Sequence, residues 1–594
     1  MHSKIEPEIK EEASKKPMLG LEVLSHKIEL PFDGSRCSPD DLLTAGVDGV
    51  QGPLKLIFEG GRPTGEKPDI HTIQRLAILG QVHSMIVTLW EDCLWNGYRF
   101  HAHPEGFAFH PPTTERQAAR ASGVARMMAH QMEMTLHGRN LWNSMPLHLR
   151  NHFVSQRVSV NATGSGDRFR YKIGPAPNNP AEPIRSFTAR VIASEIYLRE
   201  LLEEPIPMMA PITPNILLSA WEVFHELGRS LTSGLPQNTG VENPEELFRF
   251  APLIPRSKLT RLLTESLGLE YMEANRIVRF MTFSKNQSDE LWARPFVEID
   301  DRMVAPILVC LCDPNPLRML ERWMKHGGVN LQSRGPRFEI QTRTQLADAI
   351  HASKKLKNAG VLPHSFDFPD RVASVGDIDV VIWFGATVLI GEIKCNLFPA
   401  APKELNSYFA DLEYAADQIM RKKNAFEQNT ADFWKKHAKQ AEPSETKIIP
   451  FVITNLPIGV GYSFNSVPVV DLLILERFLE QGEASILGAF SGTGAANPVH
   501  SVTLYNTQEE AECVIQDYLE NPPQLRLFKN GLSPRVTLIP TLTTDDRRWL
   551  VCDMDTDINT ETVRQTLPQG VVDSLLGITD NKVNAASSSA DGER

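Results

Sequence analysis

The sequence predicts a multidomain protein: a helix-rich N-terminal region, an α/β core with a central mixed sheet, and a small α/β C-terminal module. Three observations support this fold class. At 594 residues the chain is long enough for about three or four domains. Long segments with helical apolar periodicity occupy much of the first half. Residues 376–395 instead hold two short, mainly apolar runs separated by Gly385 and Ala386, a pattern typical of a β-hairpin.

The composition is that of a globular protein with no membrane segment. Hydrophobic residues make up 42% of the chain and charged residues 23%. Only Cys310 and Cys312 of the seven cysteines lie close together, and one such pair does not form a zinc site. We therefore expect reduced thiols and a cytoplasmic protein. No apolar run reaches the roughly 18 residues that a transmembrane helix needs, and we expect no secretion signal because the charged segment at residues 1–16 lacks an apolar core.

Changes in composition divide the chain into segments. We predict a disordered lead (1–18), a mostly α-helical region (19–290), a hairpin and helix connector (291–325), a core (326–485), a C-terminal module (486–578) and a disordered tail (579–594). A Pro- and Asn-rich stretch at 173–183 is a candidate loop or linker. The connector hairpin should turn at Asp300 and Asp301. No phosphate-binding loop occurs, which excludes ATP hydrolysis by that route.

Apolar recurrence and strand-forming runs predict the individual elements. Helices are expected at 70–94, 114–137, 186–203, 216–233, 244–250, 258–267, 271–284, 336–357, 404–439 and 508–520. Besides the hairpin, strands are expected at 362–368, 500–506, 525–531, 535–544 and 547–554.

The hairpin at 376–395 brings charged side chains together. A two-residue loop with glycine first is typical of a type II′ turn, which sets Phe384 opposite Thr387. In that register Asp379 lies opposite Glu392, and Asp377 lies opposite Lys394. All four side chains share one face, because side chains alternate along a strand. Directly opposed Cβ atoms are about 4.5–5.5 Å apart, so the two carboxylates should nearly touch.

Two carboxylates so close repel each other, and a cation between them removes the repulsion. Mg²⁺ commonly binds one or two carboxylates together with substrate phosphates, and a nearby Lys394 could hold a phosphate oxygen or orient water. The alternative is an edge hairpin whose charges are merely solvated. Apolar residues on both faces of the hairpin favour a central position in a sheet instead.

The pattern D-x(12)-E-I-K across this hairpin resembles the PD-(D/E)XK nuclease superfamily, which has the restriction-endonuclease-like fold. Upstream, RGPRFEIQTRTQLADAI is similar to the family's first helix and places Glu339 there. Downstream, LEYAADQIMRKKNAF is similar to the helix after the E-x-K strand and carries Gln418. The resemblance covers residues 332–482 only. A Pro-Asp pair occurs at Pro369-Asp370, but we prefer Asp379 as metal ligand because only Asp379 faces Glu392.

The resemblance implies a magnesium-dependent site, with Mn²⁺ as a substitute ion. Asp379, Glu392 and the carbonyl of Ile393 would bind the metal, and Lys394 would position the attacking water and contact the scissile phosphate. Asp377 would support Lys394. The implied catalytic set is Asp379, Glu392, Lys394, Glu339 and Gln418. An ordinary solvated position on the helix is the alternative for Gln418.

Basic residues flank the predicted site within an acidic chain of net charge −12. They occur on the upstream side (Arg334, Arg337, Arg343, Lys354, Lys355, Lys357) and on the downstream side (Arg421, Lys422, Lys423, Lys435, Lys436, Lys439). Such clusters suit a track for nucleic-acid phosphates, and we predict that Arg421, Lys422 and Lys423 contact nucleic acid. Solvated helix faces are the alternative.

The sequence therefore predicts a metal-dependent endonuclease acting on DNA, in restriction, repair or anti-phage defence. Three alternatives stay open: a nuclease acting on RNA, a nuclease-fold scaffold that binds nucleic acid without cutting it, and a helical interaction protein. The helical N-terminal region could bind protein partners, and a homo-oligomer is compatible with the sequence.

Overall fold

A computed structural model of the chain shows a mixture of helices and several small sheets. It describes residues 39–59, 69–103, 106–111, 114–175, 187, 189–191, 193–194, 199–235, 251–284, 290–312, 316–368, 376–438, 443–490, 496–539, 548–555 and 565. The disordered segments predicted at 1–18 and 579–594 lie outside the described residues, as do the predicted helix at 244–250 and the Pro369-Asp370 pair. The predicted loop at 173–183 is described only as far as residue 175.

The helices of the described chain are α1 (Pro39–Glu59), α2 (Ile70–Trp95), α3 (Thr114–Ser144), α4 (Leu147–Ser155), α5 (Arg199–Glu203), α6 (Pro214–Ser233), α7 (Arg256–Leu267), α8 (Tyr271–Phe280), α9 (Leu308–Cys312), α10 (Pro316–His326), α11 (Arg334–Ala352), α12 (Pro402–Glu427), α13 (Thr430–Phe433), α14 (Leu472–Gln481), α15 (Gln508–Glu520) and α16 (Arg526–Asn530). The helices predicted at 70–94, 216–233, 258–267 and 508–520 are confirmed to within two residues.

The strands are β1 (Arg99–His103), β2 (Gly106–His110), β3 (Val158–Thr163), β4 (Arg170–Pro175), β5 (Ile254–Pro255), β6 (Thr282–Phe283), β7 (Phe296–Glu298), β8 (Met303–Pro306), β9 (Ala359–Val361), β10 (Val380–Phe384), β11 (Thr387–Lys394), β12 (Lys447–Thr454), β13 (Ser463–Phe464), β14 (Val467–Asp471), β15 (Glu483–Phe490), β16 (Ala496–Thr503), β17 (Ser533–Ile539) and β18 (Arg548–Asp555).

The core is built on a six-stranded mixed sheet in the order β13-β14-β12-β11-β10-β9. β11 pairs parallel with β12 and β12 parallel with β14, whereas the remaining pairs are antiparallel. Successive residues of β11 are buried on both faces, which is typical of a central strand covered by helices on either side. Helices α11 and α12 both pack against β11. The predicted central mixed sheet is therefore present.

Two boundaries in the core differ from the prediction. The strand predicted at 362–368 is instead β9, which ends at Val361. Within 362–368 the Leu362 N–H donates to the Val381 carbonyl and Phe366 forms an isolated bridge with Ile378. Pro363 has no N–H to donate and interrupts the ladder. The helix predicted at 404–439 is interrupted after α12, and a π-helical turn follows α13. The Asn429 side chain donates to the Ala425 carbonyl at 2.8 Å, so it competes with the helical backbone.

The predicted connector hairpin is present, but residues 308–312, which were expected to continue its second strand, form the short helix α9. β7 and β8 form a hairpin in which the Asp300 carboxylate accepts the N–H groups of Arg302 and Met303, each at 2.7 Å. Helix α10 follows and ends directly before Gly327. The N-terminal region is less uniformly helical than predicted, because β1 to β6 also lie within residues 19–290. Each of these strands has at most six residues, too few to show a period-two pattern among long helices.

The segment predicted as a separate C-terminal module at 486–578 is divided between two parts of the fold. Helix α15 buries Ala511, Ile515 and Tyr518 in the same apolar cluster as the core sheet. β18 pairs parallel with β2 and antiparallel with β17, in a sheet of order β1-β2-β18-β17. The strand predicted at 525–531 is the short helix α16. The apolar face of α15 needs a partner, and the core supplies it.

Two further findings concern the composition. Among the described residues, no helix is both long and apolar enough to span a membrane. The six cysteines that the structure describes are all free thiols.

Candidate active site

The hairpin of β10 and β11 has the predicted register. Val380 pairs with Gly391 and Phe384 with Thr387. Gly385 has a φ of +54° and leads the turn, as a type II′ turn requires. The Ala386 N–H donates to Glu512 Oε2 of α15 at 2.7 Å, and a Cβ on Gly385 would collide with that carboxylate. The turn is therefore held from outside the hairpin as well as by its own geometry.

Asp379 lies directly before β10, beside the end of β11. The Ile393 N–H donates to Asp379 Oδ2 at 2.8 Å. The N–H and C=O groups of one strand residue point to the same side, so the Ile393 carbonyl also faces Asp379. From α11, Arg343 Nη1 donates to the Asp379 carbonyl at 2.7 Å. This hydrogen bond joins the helix that carries Glu339 to the carboxylate end of the hairpin.

Glu392 is only 2% exposed, and both of its carboxylate oxygens accept from lysines. Lys394 Nζ is 3.3 Å from Oε2. Lys422 Nζ, from α12, contacts Oε1. A carboxylate this deeply buried needs such partners to offset the loss of its hydration.

Lys394 is held between the strand and α12. Its Nζ is 3.2 Å from Gln418 Oε1 and is therefore placed by two acceptors. Gln418 thus points toward the strand end and is not a solvated helix residue. Asp377 was predicted to support Lys394, but its side chain is exposed. Among the described residues, the hydrogen-bond partners of Lys394 are Gln418 and Glu392.

Glu339 lies on α11 near the rim of this group. Its Oε2 is 3.9 Å from Arg343, and its side chain is 30% exposed. Partial burial raises the pKa of Glu339, and the Arg343 guanidinium opposes that shift. Asp377, Lys394 and Glu392 also act on its charge, which places Glu339 within electrostatic reach of all three.

The three predicted nucleic-acid contacts separate in the structure. Lys422 is 5% exposed and bound to Glu392, so it is part of the site and not of an outer surface. Arg421 is exposed, and its Nε donates to the Asp417 carbonyl at 3.4 Å. Lys423 is partly exposed, with Nζ 3.8 Å from Glu427. The prediction for Lys422 grouped it with its basic neighbours, although its position four residues after Gln418 puts it on the face of α12 that meets the sheet.

Burial and the neighbouring Glu392 carboxylate raise the pKa of Asp379 to about 7, whereas the Ile393 N–H and Lys422 lower it. A divalent cation relieves this repulsion, and hard carboxylate and carbonyl oxygens suit Mg²⁺. Asp379, Glu392 and the Ile393 carbonyl supply oxygen donors of the kind that Mg²⁺ binds, and a metal ion at Glu392 would have to replace one of its two lysine contacts. Among the described residues, no three His, Cys, Asp or Glu side chains form a metal-binding group. Water and substrate oxygens would have to complete the coordination.

The raised pKa of Asp379 makes the metal-free protein less stable at higher pH. The folded-state pKa of about 7 exceeds the unfolded value of about 3.9, so the native state binds more protons between these values. The free energy of unfolding should therefore fall as the pH rises from about 4 to about 7. At 1.4 kcal/mol per pKa unit the loss is at most about 4 kcal/mol.

Asp379→Asn should remove this dependence. Urea denaturation in EDTA at pH 5 and pH 8 measures it for the parent, for Asp379→Asn and for the exposed control Asp377→Asn. We expect the parent and the control to lose stability at pH 8 and Asp379→Asn to lose less. Equal losses in all three proteins would contradict the assignment of the shift to Asp379.

Comparison with known proteins assigns no family. The chain matches no protein-family model, no curated protein and no solved structure. The resemblance to the PD-(D/E)XK nucleases therefore depends on the motif and on the geometry of the site.

Proposed function

We propose that the protein is a metal-dependent nuclease that hydrolyses phosphodiester bonds in DNA. The observation that carries this proposal is the juxtaposition of Asp379, Glu392 and Lys394 at one end of a central hairpin. A buried carboxylate (Glu392) and a half-buried one (Asp379) beside an ammonium group are costly in a structural role and suited to a metal ion and a phosphate. By analogy of fold, the biological setting would be restriction, repair or anti-phage defence.

The residues of the chain have distinct tasks in this proposal. Asp379, Glu392 and the Ile393 carbonyl would hold Mg²⁺, which when bound acts as a Lewis acid on a phosphoryl oxygen and favours deprotonation of water. Lys394 projects into the same space and would hold a phosphate oxygen or orient the attacking water. Gln418 fixes the position of Lys394. Glu339 adds negative charge at the rim and could accept a hydrogen bond from the water.

Incubation of the purified protein with supercoiled plasmid tests this function. We expect nicked or linear product with Mg²⁺ or Mn²⁺ and none with EDTA. Parallel reactions with linear DNA, single-stranded DNA and RNA distinguish the substrate classes. A parent protein that cuts none of these substrates with either metal ion would refute the nuclease proposal.

Arg421 and Lys423 are the candidates for contacts with phosphates that flank the cut, since Lys422 is occupied by Glu392. Neutralising both residues should weaken DNA binding equally across sequences. The logarithm of the association constant falls linearly with the logarithm of the salt concentration, and losing two phosphate contacts should make this slope shallower by about 1.8. Fluorescence anisotropy at several salt concentrations measures the slope. Lys447→Gln is the control, because Lys447 lies on β12 at the end of the β11–β12 pair that is opposite the site. An unchanged salt slope in the double variant would assign Arg421 and Lys423 to a solvated helix face.

A scaffold that binds nucleic acid without cutting it is the second candidate. The Lys422–Glu392 ion pair favours it, because this pair already neutralises the Glu392 carboxylate without a metal. The scaffold predicts DNA binding that is independent of Mg²⁺ and insensitive to changes at Asp379. The nuclease predicts metal-dependent cleavage that Asp379→Asn abolishes.

A further inference from the structure

The Lys422–Glu392 ion pair raises the question of how a metal ion could reach Glu392. Lys394 Nζ contacts Oε2, and Lys422 Nζ contacts Oε1. Neither oxygen is therefore free of a cation. Because Lys394 is also held by Gln418, the Lys422 contact is the one that a metal ion can replace without disturbing Lys394.

Cationic side chains already surround the carboxylates of the site. Lys394 and Lys422 contact Glu392, and Arg343 lies 3.9 Å from Glu339 and donates to the Asp379 carbonyl. Adding a divalent ion would bring an excess of positive charge next to the two lysines that hold Glu392. Such an excess is unfavourable at low dielectric, so one resident cation must leave or substrate phosphates must enter.

Lys422 is suited to leave. Arg343 donates to the Asp379 carbonyl, whereas among the described residues the hydrogen bond of Lys422 is to the Glu392 carboxylate. Its flexible four-carbon chain runs beside the exposed Gly376, and Lys422 Cε lies at an ordinary van der Waals distance of 3.8 Å from the position that a Cβ would take there. A lysine ammonium is also strongly hydrated, so water stabilises it once it is released.

We propose that Lys422 is the resident counter-cation of Glu392 and that it and a divalent metal ion occupy the Glu392 carboxylate in alternation. This inference rests on the proposed metal-dependent function. Without metal, Lys422 neutralises Glu392 and keeps the site folded. With metal, the Lys422 ammonium moves out toward solvent, where it adds a positive charge near the entering phosphates.

Metal affinity is the first test. Lys422→Met should bind Mg²⁺ about tenfold more tightly than the parent, equivalent to about 1.4 kcal/mol, because the metal no longer competes with the ammonium. The change in melting temperature over a Mg²⁺ titration reports the affinity without any activity assay. Lys423→Met, the neighbouring lysine outside the site, is the matched control and should bind like the parent.

Chemical labelling of the parent is the second test and needs no variant. Acetic anhydride followed by mass spectrometry gives the acetylation rate of each lysine. Lys422 should react more slowly than Lys423 in EDTA, and saturating Mg²⁺ should raise the rate of Lys422 alone. Labelling of the parent shows whether Lys422 leaves Glu392 when Mg²⁺ binds, even when Lys422→Met does not fold.

The outcomes separate the two proposals. Tighter binding by Lys422→Met together with metal-dependent exposure of Lys422 supports the alternation. Mg²⁺ binding by the parent with unchanged affinity in the variant and unchanged labelling of Lys422 overturns the alternation and leaves the nuclease proposal standing. An absence of Mg²⁺ binding in both proteins overturns the alternation and the metal-dependent function together.

Discussion

Replacing Lys394 by alanine is expected to lower the rate of DNA cleavage by about 10²-fold or more while leaving DNA affinity nearly unchanged. Enzymes typically lose this much rate when they lose one preorganised hydrogen-bond donor that stabilises negative charge in the transition state. Lys394 is placed by Glu392 and Gln418 at 3.3 and 3.2 Å, so its ammonium is oriented before substrate arrives. Its contribution should be greatest in the transition state, where charge builds on the phosphoryl oxygens.

Single-turnover cleavage and anisotropy in EDTA measure the two quantities separately. Lys447→Ala is the matched control, because Lys447 is an exposed lysine at the far end of the same sheet. The variant should fold, since Glu392 keeps Lys422 as a partner. A Lys394→Ala protein that cuts at the parental rate would remove Lys394 from the catalytic set.

Replacing Glu392 by alanine is expected to abolish cleavage and to destabilise the metal-free fold by about 3–5 kcal/mol. This is the scale of breaking a buried ion pair by removing one partner. The Glu392 and Lys422 side chains are 3% and 7% exposed, so the substitution leaves a buried ammonium without its carboxylate. The loss of stability follows from the ion pair and does not depend on the nuclease proposal.

A second substitution distinguishes the ion pair from simple loss of packing. Glu392→Ala combined with Lys422→Met removes both charges and should recover part of the lost stability. Urea denaturation in EDTA gives the free energy of unfolding of the parent, both single variants and the double variant. Additive effects of the two substitutions would contradict a direct interaction between these side chains.

The hairpin could be predicted from the sequence because its determinants are local. A glycine-first loop of two residues sets the register, and the alternation of side chains then fixes which residues share a face. Helical spacing puts Gln418 one turn after Tyr414 and two turns after Asp411, but it left a solvated position open, and the resemblance to the nuclease family supplied its place at the site. The position of Asp379 beside the end of β11 follows from the register alone.

The role of Lys422 could not be predicted in that way. Arg421, Lys422 and Lys423 are consecutive, and their composition alone does not show which side chain is buried. Helical spacing from Gln418 was the available signal. Buried lysines are rare, however, which favoured an exposed position for Lys422, in contact with nucleic acid or with solvent. The pairing of β18 with β2 had no local signal, because more than 400 residues separate the two strands. Tertiary contacts decided both features.

Binding of Mn²⁺, followed by electron paramagnetic resonance, tests the central claim most directly, because it needs neither substrate nor turnover. The claim is that Asp379 and Glu392 hold a divalent cation between them. We expect the parent to bind Mn²⁺, Mg²⁺ to displace it, and Asp379→Asn to bind far more weakly, while Asp377→Asn behaves as the parent. Equal Mn²⁺ binding by the parent and Asp379→Asn would contradict the account.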